Sequence, residues 1–307
     1  MSYPKYFSGY EKYGKCPLSY LYKYGHPEVD AGWGVGEKFP KDLRAKQSRH
    51  HAVFGQALAL AMENFYNHQY WKDPSTARQK VKSDALVELR KELRKPKNYI
   101  DWHKDWTPES KYDWQRCSPP AQVEKEILES CDTFLDIVKI NGILSVDAEA
   151  EGELFWETGE GFTIGSRPDL TYTRKDGSVE IVDGKNSRTI GRYNNDDQLL
   201  WYCLVHWKVR GVMPQHASFM YFRHPPDGRK YKRSLWTGLV RVEVTEQTLQ
   251  GVWERIQQFV QNVEDKKFEP VVAFGCRMCE FNTHCPAYAK ENAPIQTKKV
   301  GKFVEIL

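Results

Sequence analysis

The stretch Gly161–Tyr202, GFTIGSRPDLTYTRKDGSVEIVDGKNSRTIGRYNNDDQLLWY, decides how this chain is read. Two β-type runs flank a turn signal. FTIGSRPDLTYT carries Asp169, RKDGS supplies an Asp-Gly pair that reverses a chain with positive φ, and VEIVDGK ends in Asp183 and Lys185. Side chains alternate along a strand, so Asp183 and Lys185 project from one face while Gly184 points away. Two acids and a lysine are thereby expected to converge. Carboxylates on neighbouring strands suit a hard divalent cation such as Mg²⁺, which takes oxygen ligands and keeps waters that a substrate displaces. A lysine two residues beyond a ligand orients or deprotonates an attacking water, or stabilises developing phosphate charge. The tripeptide D-x-K alone also fits a solvated strand end. Its context favours a site, because Asp169 follows Pro168 and the apolar Ile181 and Val182 bury the strand that delivers the charges.

After Lys185 comes a basic loop with Arg188 and Arg192, then the helical pattern DDQLLWYCLVHW, on which Gln198 and Tyr202 share a face at i and i+4. Together, P-D, a hairpin, D-x-K and a following Q-x-x-x-Y resemble the PD-(D/E)XK nuclease superfamily, in its RecB-type branch. The resemblance implies an α/β (α+β) fold, a restriction-endonuclease-like mixed sheet flanked by helices. It implies that Asp169 and Asp183 hold a catalytic Mg²⁺ or Mn²⁺, that Lys185 is the catalytic lysine, and that Gln198 and Tyr202 form the branch's extra motif beside DNA.

Seven cysteines in a chain of 307 residues do not make a disulfide scaffold. Cys276, Cys279 and Cys285 form a C-x2-C-x5-C array in a turn-rich loop, and Cys16, followed by Pro17, is a candidate fourth thiolate. One early and three late cysteines around a D-x-K core resemble the iron–sulfur nucleases: CRISPR-adaptation-associated exonucleases, their phage relatives and AddB-type nuclease domains. That resemblance implies a [4Fe–4S] cluster on Cys16, Cys276, Cys279 and Cys285. Four thiolates also suit structural Zn²⁺, for which His284 competes as a ligand. Either metal staples the two ends of the chain and removes unfolded-state entropy worth on the order of 5 kcal/mol. Cys117, Cys131 and Cys203 are left without a role.

A net charge of +4 excludes a uniformly basic nucleic-acid coat, so DNA contact must come from local patches. No apolar run of membrane-spanning length occurs and the N-terminus lacks a signal-peptide core, which predicts a soluble cytoplasmic protein. No G-x-x-x-x-G-K-[ST] phosphate loop is present, so a helicase or recombination protein is expected as a separate partner.

Taken in order, residues 47–71 read as an apolar helix. RecB-type nucleases often place a glycine and then a metal-reaching histidine on such a helix. Here Gly55 is present but Ala59 stands at the histidine's place, with His50 and His51 upstream. A charged helix follows at 75–95, then an irregular tryptophan-rich segment to about residue 120, then an amphipathic helix closed by Asn141-Gly142. Residues 143–158 read as one strand on which Glu149, Glu151 and Glu153 share a face; an exposed face accounts for all three, while the resemblance to related nucleases offers Glu149 as a helper acid. Two later strands enclose the basic–aromatic run Arg229, Lys230, Tyr231, Lys232 and Arg233, which fits a phosphate track and equally a charged hairpin tip. A final helix starts at Thr245.

The chain is thus expected to be a single nuclease domain over 1–307, with a mainly helical region at 1–142, a catalytic α/β core at 143–264 and a cysteine-cluster segment at 265–307. The leading reading is a metal-dependent deoxyribonuclease. Family resemblance favours exonuclease action at DNA ends, in recombination, repair or phage DNA metabolism. The alternative is a non-catalytic DNA-binding or scaffold subunit that keeps the fold. Oligomeric state is not legible.

Overall fold

The computed structural model describes residues 4–43, 50–93, 120–144, 147–191, 194–227, 230–231, 234–273, 275–276, 279–291, 297–300 and 303–306. The chain divides into two compact units, one of residues 1–7 and 48–257, the other of residues 8–47 and 258–307.

In the first unit the chain supplies three long helices, α3 (His50–Asn67), α4 (Pro74–Leu93) and α5 (Pro120–Asn141). α4 begins with Pro74 at a position whose N–H no helix bond needs, and α5 closes where Gly142 takes φ 67°, a conformation open to glycine at no steric cost. Their apolar faces pack against the sheet in one core that joins Phe54, Met62, Leu89, Ile127 and Phe134 to Leu170, Val182 and Met220.

The central sheet runs β10 (Leu239–Val242), β7 (His216–Tyr221), β6 (Val179–Lys185), β5 (Leu170–Thr173), β2 (Glu149–Ala150). Its neighbours are antiparallel except β6 and β7, which pair in parallel with Lys185 opposite Tyr221. A parallel pair needs a crossover connection, and α6 (Asp196–Arg210) supplies it. β5 and β6 form the expected hairpin, with the Arg174 N–H bonded to the Ser178 carbonyl and Gly177 at φ 83°. Near the start of β6 the fully buried Glu180 accepts hydrogen bonds from Tyr172, Arg174 and Ser218, so its burial is compensated. The expected α/β mixed sheet flanked by helices is the observed fold.

Two expectations are corrected. The run 162–173 is two strands in two sheets: β4 (Thr163–Ser166) pairs with β1 (Lys5–Tyr6) and β3 (Leu154–Glu157), while β5 lies in the central sheet. Pro168, which lacks an N–H for the ladder, sits at the break. The run 143–158 is likewise split, into β2 and β3, because Glu151 takes φ 55° and turns the chain before Gly152. Glu149, Glu151 and Glu153 therefore do not share a face.

In the second unit α2 (Pro17–Tyr24) starts at Cys16–Pro17, and a small aromatic core gathers Tyr22, Phe39 and Phe281. α7 (Glu246–Glu264), whose residues to 257 belong to the first unit, opens as expected at Thr245, whose hydroxyl accepts the Thr248 N–H at 3.1 Å. The chain also forms α1 (Phe7–Lys15), α8 (Pro286–Glu291), and hairpins of β8 (Lys230–Tyr231) with β9 (Ser234–Leu235) and of β11 (Thr297–Val300) with β12 (Phe303–Ile306). Among the described residues no helix is long and apolar enough to cross a membrane.

Candidate active site

The carboxyl end of β6 is where the charges meet. Buried Ile181 and Val182 fix this strand in the core, and period-two geometry then puts Asp183 and Lys185 on one face. Lys185 Nζ lies 2.6 Å from Asp183 Oδ2. Gly184 faces the other way, where an added Cβ would stand 2.5 Å from the Phe222 ring and 3.1 Å from Asp169 Oδ2. The Gly184 N–H donates to that Asp169 oxygen at 2.6 Å, so the backbone of one strand orients the acid of its neighbour.

α6 brings the rest. Asn195 caps it by accepting the Asp197 N–H, Asp196 and Asp197 suit its positive end, and Gly211 closes it in the left-handed conformation. One turn apart on its inner face, Gln198 and Tyr202 complete a network. Gln198 Nε2 donates to Asp183 Oδ1 at 2.7 Å and to Tyr202 Oη at 3.1 Å, and Lys185 Nζ donates to Gln198 Oε1 at 2.9 Å. The two partners fix which way the amide points. Lys185 also sits 4.9 Å above the Phe219 ring centre. All five residues singled out around the hairpin are thus brought together.

Burial, with the Asp183 charge second, pushes the Asp169 carboxyl well above the usual carboxylate range. Burial also raises Asp183, against the opposing pull of Lys185. A half-buried and a buried acid held this way repel each other, and a cation between them would relieve both. Asp183 Oδ2 is buried and accepts no aligned hydrogen bond, despite its close ion pair with Lys185. A hard oxygen-donor pair with an unused lone pair fits a divalent cation in chemistry. Among the described residues, no three His, Cys, Asp or Glu side chains form a ready-made metal-holding group.

Two acids lie near this centre that were not among the expected site residues: Glu151, read only as sharing a strand face with Glu149 and Glu153, and Glu63, which was not singled out. The Glu151 N–H donates to the Asp169 carbonyl at 3.1 Å, its carboxylate pairs with Arg167 at 2.7 Å, and burial raises its carboxyl, with the fields of Glu63 and Asp183 adding to the rise. Glu63 stands on α3 one turn past Ala59, and that single acid in an Ala/Leu/Met run was the available signal. Glu149, by contrast, is exposed and pairs with Arg210 at 3.2 Å. His50 and His51 open α3, and their side chains lie outside the described residues. So do Arg192, Arg229, Lys232, Arg233, Cys117 and most of the tryptophan-rich segment.

In the second unit Cys16, Cys276, Cys279 and Cys285 all line one cavity of ≈ 430 Å³, together with Lys12, Tyr22 and Phe281. His284 is not among the residues lining it. Cys131 and Cys203 are ordinary buried thiols of the first unit, and burial drives the Cys131 thiol up to about 12.

Comparison with known proteins gives three findings. The family model described as "PD-(D/E)XK nuclease superfamily" matches residues 7–286. No curated protein matches. Among solved structures, one titled "Crystal structure of SSO0001" is similar at 19% identity and a TM-score of 0.33, over 55% of this chain and 72% of that one. With its family match running over most of its length, and an acid pair and lysine gathered at the end of β6, this chain belongs to the PD-(D/E)XK nuclease superfamily.

Proposed function

We propose that the chain is a metal-dependent deoxyribonuclease of the RecB-type branch, acting as an exonuclease at DNA ends, with residues 143–264 as its catalytic core. The observation that carries this reading is the continuous network Asp183–Lys185–Gln198–Tyr202 beside Asp169. Asp169 and Asp183 would hold Mg²⁺ or Mn²⁺, which polarises the scissile phosphate and stabilises the leaving oxygen. Lys185 positions the attacking water and offsets charge that grows on the phosphate. Gln198 holds Lys185 and Asp183 at fixed separation, and Tyr202 holds Gln198. Binding without chemistry, the scaffold alternative, gives no reason to hold two mutually repelling, largely desolvated acids together beside a strand end.

We further propose that the four cysteines around the second unit's cavity carry a structural [4Fe–4S] cluster, Zn²⁺ being the competing occupant. Soft thiolate donors from both ends of the chain support this. Iron, sulfide and zinc quantification after anaerobic purification decides between them. For the activity, linear and covalently closed circular DNA are incubated with the protein and Mn²⁺. Loss of the linear form alone is the expected result, and equal cutting of circles removes the exonuclease assignment.

A further inference from the structure

Arg188 and Arg223 leave the carboxyl ends of β6 and β7, the same end of the parallel pair that presents Asp183 and Lys185. Arg223 follows Phe222, whose N–H bonds the Lys185 carbonyl at 3.1 Å. Both guanidiniums reach a single acid on α5. Arg188 Nη2 lies 2.7 Å from Glu126 Oε1, and Arg223 Nη1 lies 2.5 Å from Glu126 Oε2.

The arginines are held in place by more than this acid. Arg223 donates from Nε to Asn186 Oδ1 at 2.7 Å and lies 4.5 Å over the Phe54 ring, with its side chain only 13% exposed. The loop carrying Arg188 is pinned by the Gly191 N–H on Tyr221 Oη at 2.7 Å and by Ser187 Oγ on the Thr189 carbonyl. Arg188 itself is 62% exposed, so a surface ion pair is a weak reason for its position. Both arginines and Glu126 line a groove of ≈ 580 Å³. Its other acids are Asp132 and Asp136, engaged by Arg78 and Lys82 of α4, and the exposed Glu129, 3.8 Å from Lys125.

Two guanidiniums on one carboxylate leave a positive charge and N–H donors over, and a backbone phosphodiester, with the same single charge and non-bridging oxygens that accept from both, can take the carboxylate's place. We propose that Arg188 and Arg223 form a phosphate-binding clamp for the DNA backbone beside the carboxylate site, and that Glu126 is an internal anion that the DNA displaces from it. The proposal rests on the nuclease reading above. Without DNA, Glu126 bridges the two arginines and offsets one of their two charges. On binding, one backbone phosphate takes the carboxylate's place, while Asn186 and Phe54 keep Arg223 aimed.

Fluorescence anisotropy of a labelled single-stranded oligonucleotide in EDTA, across a salt series, tests this without any cleavage. Glu126→Gln is expected to bind about fivefold tighter than wild type. Arg188→Gln is expected to bind more weakly and to lower the slope of log affinity against log salt by about 0.7. The clamp is overturned if Arg188→Gln keeps the wild-type slope, or if a folded Glu126→Gln binds no tighter than wild type. Because Arg188 is exposed, its slope decides the matter alone should Glu126→Gln not fold. A wild type that cuts DNA in Mn²⁺ while the Arg188→Gln slope stays unchanged sinks the clamp only. A wild type that neither binds nor cuts sinks the nuclease reading, and the clamp with it.

Discussion

Replacing Lys185 by Met in the metal-free protein isolates the charge balance on which the site depends. The ammonium is 15% exposed and lies 2.6 Å from Asp183, whose side chain is 6% exposed. Its loss leaves Asp183 with one hydrogen bond, from Gln198, and leaves Gln198 Oε1 without the Lys185 donor. An exposed pair broken this way costs at most about 1 kcal/mol. A buried carboxylate left uncompensated costs about 3 kcal/mol or more. For a unit of this size that lowers the melting temperature by roughly 6–12 °C.

The deficit depends on pH with a definite sign. Asp169 and Asp183 titrate above their unfolded values, so between the two the folded state binds more protons and stability falls as pH rises. Without Lys185 to oppose burial, Asp183 rises further. The variant's deficit is therefore full above its folded pKa and disappears toward the unfolded Asp value of about 3.9. The assay is thermal melting of wild type, Lys185→Met, Asp183→Asn and the double variant in EDTA at pH 5 and pH 8. A coupling energy of about 2 kcal/mol between the two sites is expected at pH 8. Mn²⁺ at a hundred times its dissociation constant should return about 2.7 kcal/mol to any variant that keeps both acids. Lys185→Met melting within about 2 °C of wild type at pH 8, with additive single effects, would refute the reasoning.

Gly184→Ala places a Cβ 2.5 Å from Phe222 and 3.1 Å from Asp169 Oδ2, so it should cost about 1–3 kcal/mol and displace the acid. Melting and Mn²⁺-dependent cleavage report the two effects, and wild-type values for both would show that the strand pair yields freely. Gln198→Ala removes the contacts that space Lys185 from Asp183 and should lower kcat by about 10²-fold with a smaller change in KM. Equal loss in KM alone would make Gln198 a substrate contact instead of a positioning residue.

The D-x-K face was legible because strand alternation is a fixed rule and the hairpin turn announces itself. The Gln198/Tyr202 stripe was legible for the same reason on a helix. Where the backbone leaves its regular period, the pattern stops informing. Pro168 divides what reads as one strand between two sheets, and the positive φ of Glu151 swings that acid toward Asp169 while Glu149 stays outside. Glu63 and the tie between Glu126 and Arg223, 97 residues apart, depend on tertiary packing that no local window contains. The cysteines are an intermediate case: spacing groups Cys276, Cys279 and Cys285, the resemblance to iron–sulfur nucleases adds Cys16, and all four line one cavity.

Hydrolysis is the role proposed for the Asp169–Asp183–Lys185 centre. It is tested most directly by end-labelled linear DNA incubated with Mn²⁺ and either wild-type protein or Asp183→Ala, both verified as folded by circular dichroism. Progressive release of label by wild type and a loss of at least about 10²-fold in the variant are expected. Undiminished cleavage by Asp183→Ala, or intact DNA with the wild type, would contradict it.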